Sequence, residues 1–250
     1  MKAIVTGLVD IGKIRTKNDD RALIDHKIIE SGIYQEELTY PFHCAICDGV
    51  GGALEGSKGA QFVLEKISDN KFEGIGDKDS LVLALSNIND ELINYQKVNN
   101  IMGMQTTLVG LGLYEDRVIL YNSGDSRLYR LREGVLSKLS QDHSVAQEKI
   151  INGEITVNIE EELMKCNRIT RCFGLESVLP PYVRQINVAA IDEDIYMLCS
   201  DGLWGSVKSD VIEAILSNGN DSMKQVQELM EVAFANGSTD NISIIIIKIQ

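Results

Sequence analysis

The 250-residue chain is expected to adopt an α+β fold, a four-layer α/β/β/α sandwich in which two mostly antiparallel sheets are flanked by helices. Three observations predict it. Apolar runs of strand length recur along the chain. Several are joined by short turn signals. Segments with an apolar repeat of 3 and 4 residues stand among them without strict βαβ alternation. The composition fits one large domain, 1–250: 44% hydrophobic residues, three prolines, and no linker, low-complexity tract or repeat.

Strands are expected at 2–9, 22–29, 39–47, 106–113, 117–122, 127–132, 182–188, 195–199 and 242–249. The turn signals YEDR (114–117), GDS (124–126) and REG (132–134) read as hairpins, giving an antiparallel meander over 104–139. Helical periodicity marks 59–67 and 80–95, where Leu81, Leu85, Ile88, Leu92 and Tyr95 share a face. It recurs at 145–151 and 209–216, the latter with Ser209 and Asp210 as caps. A last apolar face is formed by Val226, Leu229, Met230 and Ala233.

Charge excludes several function classes. The 24 basic and 37 acidic residues leave a net −13, a field that repels phosphodiester backbones and anionic membranes. With no Lys/Arg cluster to offset it, a nuclease is disfavoured, and neither nucleic acid nor membrane is expected as a partner. The longest apolar run, 242–249, is interrupted by Ser243 and Lys248, far short of the ~18 residues of a membrane span. The start MKAIVTGLVD makes a poor signal peptide, so a cytoplasmic location is expected.

Cys44, Cys47, Cys166, Cys172 and Cys199 are an odd set for a disulfide framework. Cys44 and Cys47 form a CxxC inside a strand-like run, which points them to opposite faces and into core packing. Cys166 and Arg171 miss the spacing of a thiol phosphatase loop by one residue. His26 and His43 fall in strand-like runs and read as ordinary, partly buried residues. His143 reads as a structural hydrogen-bonding group, and Trp204 as packing beside the Asp201 loop.

The chemistry is expected at aspartates. Asp48 precedes GVGG, Asp125 sits in NSGDSR, Asp201 follows YMLCS and precedes GLWG, and Asp240 lies in GSTDN just before the final isoleucine-rich run. A carboxylate at a strand end is held rigidly, and neighbouring glycines allow close approach of a ligand. One such aspartate is an ordinary turn residue. Four in one domain can converge on an all-oxygen site for a hard divalent cation, Mg²⁺ or Mn²⁺. No His or Cys group has zinc spacing.

The motifs also occur in a specific order: Arg15 with NDD at 18–20, DGVGG at 48–52, MQTTLVG at 104–110, GDSRLY at 124–129, LSQDHS at 139–144, ITRCFG at 169–174, LCSDGLW at 198–204 and GSTDN at 237–241. This set resembles the type 2C (PPM) metal-dependent serine/threonine protein phosphatases of the bacterial single-domain type, and spans residues 4–247. Residues 147–156 resemble the flap of those proteins, placing a flap segment near 145–168. The resemblance implies two Mn²⁺ or Mg²⁺ ions, with Asp48 bridging both. Gly49 would help hold one through its carbonyl, and Asp201 and Asp240 the other. Asp20, and Asp19 through water, would complete the ligand field. Asp125 would share a third, weaker ion with Asp201, and Asn241 would sit at that ion or behind the ligands. Arg15 would grip the phosphate through its planar donor fork. The implied activity is hydrolysis of phosphoserine and phosphothreonine in proteins by a metal-activated water. The implied partners are phosphorylated proteins, among them a serine/threonine kinase or its targets.

Four positions depart from the family pattern: Val50 stands where animal members carry a histidine, Gln105 replaces a glycine, Gly205 replaces an acid near the third ion, and Asp19 replaces a glutamate. Two other readings remain beside the leading one, a phosphatase-fold binding protein without activity and a phosphoesterase for small molecules. The first should have lost ligands; Asp20, Asp48, Asp201 and Asp240 are all present.

Overall fold

The computed structural model describes residues 1–50, 55–69, 77–165, 168–176 and 180–250. Gly51 and Gly52 of the DGVGG motif, and Cys166, lie outside these. Twelve strands among the described residues form two six-stranded sheets in which every pairing is antiparallel.

The first sheet runs in the order β4 (Gly32–Thr39), β1 (Lys2–Asp10), β12 (Ile242–Ile249), β11 (Ile195–Cys199), β8 (Arg127–Arg132), β9 (Val135–Lys138). The second runs β10 (Tyr182–Ile186), β7 (Val118–Ser123), β6 (Leu108–Leu113), β5 (Phe42–Asp48), β2 (Asp20–Ile24), β3 (Lys27–Ile29). Helices α1 (Gly56–Asp69) and α2 (Lys78–Asn99) cover the second sheet. Helices α5 (Asp201–Trp204), α6 (Ser209–Leu216) and α7 (Ser222–Ala235) cover the first. Two short helices, α3 (Val145–Ile151) and α4 (Ile159–Lys165), complete the set.

Period-2 geometry divides the apolar residues among three cores. On β12, Ile245 and Ile247 face the other sheet, where they meet Ile46 and Leu111, while Ile244 and Ile246 face Leu203, Ile212 and Leu229 of the helices. On β5, Cys44 enters the inter-sheet core and Cys47 the core under α1 and α2, as the CxxC spacing requires. Strands covered on both faces read as continuous apolar runs, which is why 242–249 and 195–199 are strands over their full expected length.

Several expectations need correction. The run 22–29 is two strands, β2 and β3, with Asp25 in a left-handed conformation at the turn; His26 is therefore exposed rather than partly buried. The run 39–47 begins as a strand only at Phe42. Pro41 has no N–H to continue the ladder, and the preceding residues belong to β4, an edge strand that periodicity did not mark. GDS (124–126) is not a hairpin: β7 and β8 lie in different sheets, so the chain crosses the sandwich at Gly124–Asp125, and the meander breaks into two hairpins. The N-cap of α6 is Lys208, with no side-chain cap bond; Ser209 and Asp210 are its first residues.

Candidate metal centre and phosphate cleft

Five aspartates lie at strand ends along one edge of the sandwich. Asp20 opens β2 and Asp48 closes β5, and the two are direct partners across the antiparallel ladder. Asp125 sits where the chain crosses from β7 to β8, Asp201 begins α5 directly after β11, and Asp240 lies just before β12. Asp48, Asp125, Asp201 and Asp240 line one cleft of about 320 Å³ together with Arg15, Asp19, Gly49, Val50, Thr107, Arg168, Ile169 and Asn241. Asp20, 1% exposed, lies beneath it.

The backbone at Asp48 is fixed from three directions. Its N–H donates to Thr107 Oγ1 at 3.1 Å, and its carbonyl accepts from Thr107 N–H at 2.8 Å and from Thr106 Oγ1 at 2.9 Å. The threonine pair of the 104–110 motif is thus a clamp on the central aspartate, a role that its polar spacing does not announce. Gly49 follows. A Cβ there would lie 2.6 Å from the Gly56 carbonyl carbon and 2.9 Å from Asp19, so only glycine lets α1 start this close to the cleft. Gly202 is constrained likewise, because a Cβ would collide with the Asn241 carbonyl.

Electrostatics identify the cluster as acidic groups in search of positive charge. Burial, followed by the neighbouring carboxylates, pushes Asp48 and Asp125 well above the usual range. Burial raises Asp20 to about 7 and Asp201 to about 6. For Asp20 the hydroxyls of Ser200 and Ser243 pull the other way, yet its Oδ2 has no hydrogen-bond partner.

Arg15, on the β1–β2 connection, donates from Nη2 to Asp240 Oδ2 at 2.7 Å. Asp240, with Asp201 and Asp48, holds the Arg15 guanidinium above its ordinary pKa. Arg15 therefore contacts an expected metal ligand. Among the described residues no three acidic, His or Cys side chains already stand close enough to hold an ion between them; Asp240 is turned to the arginine instead.

Asp19 and Asn241 brace the site. Asp19 Oδ1 accepts from Ser57 N–H at 3.2 Å in the first turn of α1. Asn241 Oδ1 accepts from Asp19 N–H at 2.9 Å, and its Nδ2 donates to the carbonyls of Ile11 and Lys17. Asn241 thus staples the loop bearing Arg15 to the start of β12. His143 clamps the crossover: its Nδ1 accepts from Gly124 N–H at 3.2 Å and its own N–H donates to the Gly124 carbonyl at 2.9 Å. Burial lowers its pKa to about 4, consistent with a structural neutral imidazole. His43, also buried, pairs through Nε2 with Tyr114 Oη at 2.9 Å.

A further element is a buried ion pair. Arg127, two residues beyond Asp125, bonds Asp142 through Nη2 at 2.7 Å and stacks 3.5 Å above the ring of buried Trp204 in α5. This ties the crossover carrying Asp125 to the helix that opens with Asp201. The four described cysteines are free and buried, with no arginine loop around them.

The donor set fits hard divalent cations: several carboxylates, one with a buried unpartnered oxygen, and, among the described residues that line the cleft, no thiolate or imidazole. Four carboxylates from strand ends, Asp48, Asp125, Asp201 and Asp240, line the cleft together with two arginines, Arg15 and Arg168. The chain belongs to the protein phosphatase 2C family, whose model matches residues 15–242. It is 27% identical over 246 residues to the serine/threonine phosphatase Stp of Listeria monocytogenes, covering 96% of this chain and 93% of that one. The fold superposes on the Mycobacterium tuberculosis serine/threonine phosphatase PstP/Ppp with a TM-score of 0.84 at 24% identity, covering both chains completely. A second structure, the catalytic domain of PstP in complex with two manganese ions, matches with a TM-score of 0.80 at 25% identity, covering 99% of each chain.

Proposed function

We infer that the chain is a manganese- or magnesium-dependent protein serine/threonine phosphatase that hydrolyses phosphoserine and phosphothreonine with water as the nucleophile. The single observation that carries this reading is the convergence of Asp48, Asp125, Asp201 and Asp240 with Arg15 in one cleft, with Asp20 paired to Asp48 across the ladder, in a chain of the phosphatase 2C family. Asp48, Gly49, Asp20, Asp201 and Asp240 are the residues that would hold two ions, with Asp125 and Asp201 available to a third. When bound, such ions supply Lewis acidity toward phosphoryl oxygens and a lowered pKa for the attacking water.

The chain's own residues do the rest. Arg15 offers the phosphate a charged donor fork, and its 43% exposed side chain can leave Asp240 for the incoming dianion. Thr106 and Thr107 keep Asp48 from shifting as charge changes hands. Val50 lines the cleft but carries no proton, so the leaving alkoxide takes its proton from water rather than from this side chain. The four described cysteines take no part: burial pushes Cys44, Cys47, Cys172 and Cys199 up, holding them as inert thiols.

The whole chain acts as one catalytic domain, with α3 and α4 belonging to a flap over the cleft that selects phosphoprotein substrates, a serine/threonine kinase or its targets among them. Among the described residues no helix is long and apolar enough to cross a membrane, and we place the activity in the cytoplasm. The test compares p-nitrophenyl phosphate and a phosphothreonine peptide as substrates after chelation and after return of Mn²⁺, Mg²⁺ or Ca²⁺. Activity should vanish with chelator and return with the first two but not with Ca²⁺, whose larger, looser shell suits the site poorly. Full turnover in excess chelator, with no metal in the protein, would sink the mechanism.

A further inference from the structure

A second cavity of about 370 Å³ opens beside the aspartate cleft. Asp201 and Asp240 line both, so the two cavities adjoin at these carboxylates. Its other walls are Met164 of α4, the end of α5 at Trp204, Gly205 and Ser206, and the 236–239 loop after α7.

Hydrogen bonds fix its chemistry. The backbone N–H groups of Gly205, Ser206, Asn236, Gly237 and Ser238 donate internally, to the carbonyls of Asp201, Leu203, Val232, Phe234 and Ala233 respectively. Ser206 Oγ donates toward the Gly202 and Leu203 carbonyls, each at 3.1 Å. Ser238 Oγ donates to the Gly202 carbonyl at 2.8 Å, and Asn236 Nδ2 to the Ser206 carbonyl at 2.8 Å. Trp204 Nε1 has no partner but is itself buried. The walls therefore present an incoming group mainly with acceptors, the hydroxyl lone pairs of Ser206 and Ser238, with Asp201 and Asp240 at the border shared with the cleft. Residues 160–162 of α4 are glutamates. Lys208 pairs with Glu161 at 3.6 Å and Lys165 with Glu162 at 3.0 Å.

A pocket of this size, rich in acceptors and adjoining the phosphate cleft, suits a long cationic donor. We propose that it is a specificity subsite taking an arginine or lysine side chain that flanks the phosphorylated residue of a protein substrate. The assignment rests on the phosphatase reading above, and the −13 net charge of the chain favours the same class of substrate.

The test uses phosphothreonine peptides with arginine, lysine, alanine or glutamate at each of two positions on either side of the phosphoresidue, with p-nitrophenyl phosphate in parallel. At one position arginine should exceed alanine about tenfold in kcat/KM, the scale of one charged hydrogen bond, with lysine between them and glutamate below. Asn236→Lys, which puts a cation on the loop wall, should bring the arginine-to-alanine ratio close to one. Met164→Lys, on the facing wall, should do the same without touching the end of α7. The ratio is read within each variant, so a general loss of turnover cancels. Equal kcat/KM for arginine, alanine and glutamate at every position, in enzyme that turns over p-nitrophenyl phosphate, overturns the subsite. An arginine preference that survives both variants overturns it as well. No turnover of any substrate with manganese would instead overturn the phosphatase reading.

Discussion

Arg15 stands 2.7 Å from Asp240 while almost half of its side chain remains open to solvent, and this double placement changes what its loss should do. A phosphate dianion gains ~1.5–3 kcal/mol from a charged donor, roughly ten- to hundredfold. Arg15→Ala should therefore raise KM and weaken inhibition by inorganic phosphate by that factor. Because the guanidinium also competes for a metal ligand, Mn²⁺ affinity measured by calorimetry should hold or tighten. A marked loss of Mn²⁺ affinity would mean that Arg15 orients Asp240 rather than competing for it. Asp48→Asn should lower kcat by orders of magnitude, because it removes the charge at the centre of the cluster, whereas Cys172→Ser should leave kcat within a few-fold. Asp48, Asp125, Asp201 and Asp240 were legible in the sequence because a glycine and a strand end lie close to each, whereas Asp20 was marked only by the family resemblance. The Thr106–Thr107 clamp and the Asn241 staple were not, because their importance lies in backbone groups more than fifty residues away.

At the scale of elements, strands buried on both faces, such as β11 and β12, were legible to the residue, since an unbroken apolar run has one explanation inside a layered sandwich. The edge strand β4 was not: it is mostly polar and pairs only with β1, so neither burial nor alternation marks it, whereas the edge strand β10 lies within the run expected at 182–188. The Gly124–Asp125 crossover looked like a hairpin because a sharp turn has the same local chemistry whether the chain returns to its own sheet or enters the next. What decides is long-range, and the Arg127–Asp142 pair is part of it. Asp142 is 2% exposed and also meets Lys138 at 3.0 Å. Asp142→Asn strands two cations and should cost ~3–5 kcal/mol by urea unfolding, the range for breaking a buried pair. Arg127→Met should cost less, since Lys138 still neutralises Asp142 and the thioether can pack on Trp204. Finding Arg127→Met the more damaging of the two would assign the stability to the stacking on Trp204 instead.

For the molecule as a whole, the carboxylate cluster couples folding, pH and metal. Burial raises Asp20 to about 7 and Asp201 to about 6, against ~3.9 in an unfolded chain. A raised acid binds its proton more tightly in the folded state. Its contribution to stability is thus complete below the unfolded value and is lost as pH rises through the folded one. His143, lowered to about 4 by burial, acts oppositely, but only between that value and ~6.5; above it the carboxylates act alone. In chelator the protein should therefore lose stability between pH 6 and pH 8, at up to ~1.4 kcal/mol per pH unit for each titrating group. Saturating Mn²⁺ should reverse the slope, because protons then compete with the ion for the same oxygens. Urea midpoints at the two pH values, with and without metal, measure both slopes. General repulsion in an acidic chain predicts the same sign in chelator, so two variants separate the causes. Asp48→Asn should stabilise the chelated protein at pH 8 and flatten its slope, by relieving repulsion inside the cleft. Asp90→Asn removes an equal charge from the exposed face of α2 and should leave the slope unchanged. A chelated protein more stable at pH 8 than at pH 6 would show that the cleft does not hold its aspartates as strained acids, and with that the electrostatic case for a cation site would fail.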